Sequence, residues 1–220
     1  MLNYCDERGI ETYECDDLFC TVLLREGETL GKLILTSNGF NTEDGYKLIR
    51  KQLKKIDLAT KKIYLFYEPY YSIEGILISR FEKLGFKREN IILSSEAGSE
   101  KELETVDMIY IGEGNTFEIL KLLQDRKLIE SIRKVISKGA AYIGASAGAM
   151  IAGKDILCAD DFEENEVDLS DLSGLCLIDA AIIPHYSKKQ LREYVKNMNP
   201  EIVKSYQRIY AIKDGGILVR

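Results

Sequence analysis

The feature that most restricts the fold is a switching of hydrophobic period along the chain from Lys32 onward. Short apolar runs rich in β-forming residues occur at 33–35, 63–66, 91–93, 108–111 and 141–143. Between them lie stretches with helical spacing. Residues 46–53 place Leu48, Ile49 and Leu53 on one face, and residues 73–84 do the same with Ile76, Leu77, Phe81 and Leu84. Residues 117–123 and 128–136 continue the pattern. Strand runs alternating with amphipathic helices predict βαβ units and a parallel sheet. The strand runs have no polar alternate face, as expected when helices cover both sides of the sheet.

The length of 220 residues suits one α/β domain, and no Pro- or Ser-rich linker divides the chain. Residues 32–220 are expected to form a single α/β domain. Residues 1–31 read differently: they are acidic, and only 18–24 is apolar. That run predicts either an extra strand beside 32–36 or a loose tail. The formal net charge is −6 and no basic cluster stands out, which argues against a nucleic-acid partner. Five cysteines, an odd number with no C-x-x-C pair, argue against a disulfide framework and for reduced thiols in a cytoplasm. With one histidine in the chain, a zinc site is not expected. The first fourteen residues do not read as a signal peptide, and no stretch has the length of a membrane span.

The most informative segment is Tyr142-Ile143-Gly144-Ala145-Ser146-Ala147-Gly148. A β-run ends at Gly144 and small residues lead into a helical stretch, in the pattern G-x-S-x-G. A nucleophilic serine on a cramped strand-to-helix turn exposes its hydroxyl at the carboxyl edge of the sheet, and a side chain at either glycine would crowd the turn. The helix that follows aims its N-terminal amides at the site, where they can stabilise an oxyanion. A serine needs a base. A histidine base can only be His185, which follows the apolar run 182–183. Ser146 and His185 both follow β-runs and are expected along one edge of one sheet. A third group, an acid, fixes the tautomer of such a histidine. Asp214 after the run 209–212 and the pair Asp160 and Asp161 are the candidates, and spacing does not choose between them.

A second strand-to-helix turn, Gly112-Glu113-Gly114-Asn115-Thr116-Phe117, lacks the Gly-Lys-Ser/Thr of a phosphate-binding loop and the third glycine of a dinucleotide fingerprint. The backbone amide of Gly114 suits an oxyanion donor, and a turn capped by Asn115 or Thr116 is the competing reading.

Taken together, 112–117 and 142–149 resemble the G-G-G-N-T-F and Y-I-G-x-S-A-G-A motifs of the dipeptidase E and cyanophycinase family of serine peptidases. Pro184-His185-Tyr186 resembles the family's N-P-H-F/Y segment, and the similarity extends from about Lys32 to the C-terminus. The resemblance implies a doubly wound, mostly parallel α/β sheet with helices on both faces, like that of class I glutamine amidotransferases. It implies Ser146 as nucleophile, His185 as general base, and the amides of Gly114 and Ala147 as oxyanion donors. It favours Asp214 as the acid, with Asp in place of the family's Glu, and keeps Asp161 as the alternative. Glu113 stands where the family has its middle glycine, and Glu113 and Asn115 are the expected substrate contacts.

The resemblance also implies a hydrolase for short peptides. No cofactor, metal, membrane or nucleic-acid partner is expected, and a homodimer stays open. The alternatives are a cyanophycinase-like β-aspartyl hydrolase and a non-catalytic binding protein on the same scaffold. The segment after Tyr186 lacks the longer basic loop with which dipeptidase E holds an N-terminal aspartate, so an aspartyl preference is not carried over.

Overall fold

A computed structural model describes residues 4–5, 11–14, 32–40, 42–67, 74–96 and 98–219. In chain order the elements are β1 (Tyr4–Cys5), β2 (Glu11–Glu14), β3 (Leu33–Thr36), α1 (Glu43–Leu53), β4 (Ile63–Phe66), α2 (Glu74–Leu84), β5 (Ile91–Leu93) and β6 (Met108–Ile111). They continue with α3 (Thr116–Asp125), α4 (Ile129–Ser137), β7 (Ala141–Ala145), α5 (Ala147–Ile151), β8 (Ala181–Pro184), α6 (Lys188–Asn197), α7 (Pro200–Lys204), β9 (Arg208–Ile212) and β10 (Ile217–Val219).

The strands fall into two sheets. A six-stranded sheet runs β10-β3-β7-β6-β4-β5 and is parallel except for β10, which pairs antiparallel with β3 at the edge. A smaller sheet runs β1-β2-β9-β8, with β2, β9 and β8 mutually parallel. The expected mostly parallel α/β architecture is present. The strand before Ser146 and the strand before His185, however, do not share a sheet: β7 is in the larger one and β8 in the smaller. Within the described residues the outer neighbour of β3 is β10, while Glu11–Glu14 pairs with β9. The apolar run 18–24 lies outside the described residues.

Period-two alternation decides which side chains meet which helices. In β3, β4, β6 and β7, Ile34, Ile63, Leu65, Met108, Tyr110 and Ile143 point to one face, against Tyr46, Ile49 and Leu53 of α1 and Leu77 and Phe81 of α2. Leu33, Leu35, Tyr64, Phe66, Ile109, Ile111 and Tyr142 point to the other, where they join residues of α3, α4 and α5 and the smaller sheet's Ile182, Ile183 and Ile209. Both faces of the six-stranded sheet are therefore covered, which is why its strands read as unbroken apolar runs. Each fully buried side chain of this kind contributes about 1.5–3 kcal/mol, so the second core also binds the two sheets together. Helix ends are capped locally. The Thr42 hydroxyl accepts from Gly45 N at 3.1 Å to start α1, and Ser187 and Gln190 form a capping box at α6. Among the described residues no helix is long and apolar enough to cross a membrane.

Candidate active site

Ser146 occupies the single residue between β7 and α5 with φ 49° and ψ −109°. A non-glycine residue there costs about 1–3 kcal/mol and is held only when its surroundings over-determine it. The Ser146 amide donates to Thr36 O at 3.0 Å, and its carbonyl accepts from Ala149 N and Met150 N to open the helix. The two glycines are steric necessities. A Cβ on Gly148 would lie 2.1 Å from Ile111 O, and one on Gly144 would lie 2.5 Å from Gly148 O. The elbow is thus pressed against the end of β6, and Gly148 N seals the contact by donating to Gly112 O at 3.1 Å.

The smaller sheet delivers the other two groups. His185 follows β8 directly, in a left-handed conformation with φ 64°. Asp214 follows β9 in a turn whose next residue, Gly215, has φ 74°. The Ser146 hydroxyl lies 3.0 Å from His185 Nε2, and His185 Nδ1 lies 2.7 Å from Asp214 Oδ1. The pattern fits a tautomer in which Nδ1–H donates to the carboxylate and Nε2 accepts from the serine. Aspartate is one methylene shorter than glutamate, and the close approach of the Asp214 turn makes up the difference without a bridging water.

Two residues that sequence reasoning missed hold that turn. Ser37, fully buried just after β3, donates from Oγ to Asp214 Oδ1 at 2.9 Å and accepts from His185 N at 3.0 Å. The same oxygen lies 2.9 Å from His185 Nδ1. Asn38 accepts from Gly215 N through Oδ1 at 3.0 Å. Ser37 and Asn38 directly follow β3 of the larger sheet and clamp the smaller sheet's two turns onto it. Their only sequence signal was a polar pair directly after a strand, at the carboxyl edge where such sites are built. Burial works against the charge of Asp214, but hydrogen bonds from His185 and Ser37, the His185 charge and Asn38 outweigh it and hold the carboxyl below its ordinary value. The His185 and Asp214 side chains are 45% and 66% exposed, so their pairing gains its full strength only under a substrate that excludes water.

Gly114, two residues after the Gly112 carbonyl that the elbow contacts, has φ 141°. Among the described residues neither its amide nor that of Ala147 donates to another protein group, which leaves both available to an oxyanion. The other expected site residues are engaged elsewhere. Asn115 is the N-cap of α3, its Oδ1 accepting from Phe117 N and Glu118 N at 3.0 and 3.2 Å. Glu113 turns inward, with one carboxylate oxygen 3.0 Å from where a Cβ on Gly39 would stand. Burial pushes its carboxyl up to about 7. Asp161 accepts from the Tyr194 hydroxyl at 2.5 Å, away from the His185 ring, and Asp160 is exposed. Among the described residues no cluster of His, Cys, Asp and Glu is placed to hold a metal ion.

A parallel α/β core with a strained serine elbow, a histidine within hydrogen-bond reach and a carboxylate behind it is the layout of a serine hydrolase. Residues 33–220 match the model of peptidase family S51, and the chain belongs to that family of serine-type peptidases. It is 26% identical over 163 residues to peptidase E of Nostoc sp., covering 71% of this chain and 66% of that one. Against peptidase E of Haemophilus influenzae it is 31% identical over 122 residues, covering 53% of this chain and 55% of that one. The chain thus spans less than two thirds of the length of these relatives. Among solved structures, a peptidase E protein from Listeria monocytogenes EGD-e superposes with a TM-score of 0.64 at 24% identity, covering 87% of this chain and 98% of that one. A peptidase from an acI-B1 actinobacterium gives 0.55 at 18% identity, covering 88% and 84%. At these identities the two structures speak for the fold.

Proposed function

We propose that the chain hydrolyses short peptides through an acyl-enzyme on Ser146. The observation that carries this reading is the unbroken line of contacts from Ser146 Oγ to His185 Nε2 at 3.0 Å and from His185 Nδ1 to Asp214 at 2.7 Å. In the first step Ser146 Oγ attacks the peptide carbonyl while His185 Nε2 takes its proton. The Gly114 and Ala147 amides stabilise the oxyanion, and Asp214 stabilises the imidazolium through Nδ1–H. Collapse breaks the C–N bond, and His185 returns the proton to the leaving amine. A water, deprotonated by the same nitrogen, then releases the acid. The free thiols of Cys158 and Cys176 support a reducing compartment, and we assign the chain to the cytoplasm. A fluorophosphonate probe tests the reading. It labels Ser146 in the wild-type chain and leaves Ser146→Ala unlabelled, and a small peptide library is digested only by the former. A folded wild-type chain that neither reacts nor digests any peptide refutes the assignment and leaves the elbow as scaffold.

A further inference from the structure

The stretch between the elbow and β8 is anchored on both sides of the site. At its start, Asp161 accepts from the Tyr194 hydroxyl, and the Phe162 ring packs edge-on against Tyr186 with centroids 5.2 Å apart and planes at 70°. Phe162 also lies 5.2 Å from the Tyr194 ring, and Tyr186 and Tyr194 are themselves 5.5 Å apart, so the three rings form a closed triangle. Tyr186 is the residue directly after His185. One and two residues further along the stretch, the contacts are with the opposite side of the site. Glu163 Oε2 accepts from Thr116 N at 2.6 Å, and Glu164 O accepts from the Asn115 side-chain amide at 3.1 Å. Asn115 and Thr116 directly follow Gly114. Residues 162–164 therefore bridge from the turn that carries His185 to the loop that carries Gly114, as a wall between the two.

The composition of that wall is unusual. Phe162 is 38% exposed, and among the described residues only Ile76 is another large apolar side chain left so open to water. An exposed aromatic held rigid by two neighbouring rings, one of them next to the candidate base, is a preformed apolar contact surface. Residues 160–166 also carry five carboxylates and no cation: Asp160, Asp161, Glu163, Glu164 and Glu166. An acidic side chain entering beside them meets like charge.

We propose that Phe162, Tyr186 and Tyr194 form the subsite for an apolar or aromatic side chain flanking the scissile bond, and that the carboxylates of 160–166 exclude acidic ones. This inference rests on the peptide-hydrolase reading above. The test compares kcat/KM for short peptides carrying Phe, Leu, Ala or Asp on each side of the scissile bond in turn. At one of the two positions the wild-type chain favours Phe over both Ala and Asp by at least about tenfold, as burial of one ring in an apolar site predicts. In Phe162→Ala the Phe-to-Ala ratio falls roughly tenfold, and Phe162→Leu restores part of it. A ratio taken within one variant does not depend on the fraction of protein that is folded. A wild-type chain that favours Asp at both positions, or a Phe-to-Ala ratio that Phe162→Ala leaves unchanged, overturns the subsite. Fluorophosphonate labelling of the wild-type chain separates the two claims. Labelled protein with the wrong preference sinks the subsite alone, whereas unlabelled and inactive protein sinks the hydrolase reading with it.

Discussion

Replacing Glu113 by Gln tests the electrostatics beneath the elbow. Glu113 lies in the β6–α3 loop with its carboxyl turned toward Gly39 and Tyr110, and burial raises it from 4.5 to about 7. Between those values the folded chain holds a proton that the unfolded chain has released. The folded state then binds more protons than the unfolded one, so stability falls as pH rises. The contribution is fully present below about 4.5, is lost as pH rises through about 7, and is flat above that. At about 1.4 kcal/mol per pH unit the interval amounts to roughly 3 kcal/mol. The residue is partly open to solvent, and screening reduces this to about 1–2 kcal/mol. Glutamine keeps the shape and removes the ionisation, so every other titrating group cancels in the difference between the two proteins. Urea unfolding read by far-ultraviolet circular dichroism suits a chain without tryptophan. The stability of Glu113→Gln minus that of the wild type should grow by about 1–2 kcal/mol between about pH 5 and 7.5 and then level off. A difference that stays constant across that range would show that the carboxyl is solvated in the folded chain, and the burial argument would fall.

Further outcomes can be measured on the same protein. Ser146→Ala should lose at least about three orders of magnitude in peptide turnover with an unchanged circular dichroism spectrum; a variant keeping a tenth of wild-type turnover refutes the nucleophile. His185→Ala should be comparably inactive, since the chain has no other histidine to take the proton, and a variant keeping a tenth of wild-type turnover speaks against histidine as base. Ser37→Ala deprives His185 N and Asp214 of a buried partner and should cost about 1–3 kcal/mol in unfolding free energy and roughly tenfold or more in kcat/KM; unchanged kinetics would mean that the Asp214 turn is held without Ser37. Gly148→Ala drives a Cβ to 2.1 Å from Ile111 O, a backbone atom that cannot step aside. It should cost several kcal/mol or abolish soluble expression, and a melting temperature within about 2 °C of wild type would contradict the packing described.

The central sheet was legible because its strands are buried on both faces. The runs 63–66, 91–93 and 108–111 coincide with β4, β5 and β6, since nothing polar blurs their ends. The partition into two sheets was not legible. Ala181–Pro184 and Arg208–Ile212 have the same apolar character as β6, and which strand pairs with which is decided by packing of the whole chain. The Ser146 turn was readable because its glycines answer a local steric demand. Ser37 was not, since Thr-Ser-Asn-Gly after a strand reads as an ordinary turn until the partners 148 and 177 residues away are in place. Asn115 carried two readings, helix cap and substrate contact, and its hydrogen bonds to Phe117 N and Glu118 N are those of a cap. Glu113 was read as reaching toward substrate because the sequence says nothing about the small residues, Gly39 and Ala145, that leave room for it to turn inward.

The division of the site between two sheets makes it a latch across a seam. Ser146 rides on one half, His185 and Asp214 on the other, and Ser37 reaches over from the first half to the second. Any parting of the halves would break the serine–imidazole contact together with the Ser37 and Asn38 bonds that cross the same seam, whereas the imidazole–carboxylate pair lies wholly within the smaller sheet's turns. A ligand that grips both Ser146 and His185 binds only the closed arrangement, and by mass action it draws the population toward it. Occupancy of the site is in this way coupled to the cohesion of the two sheets, and a bound ligand should raise resistance to local opening along the seam.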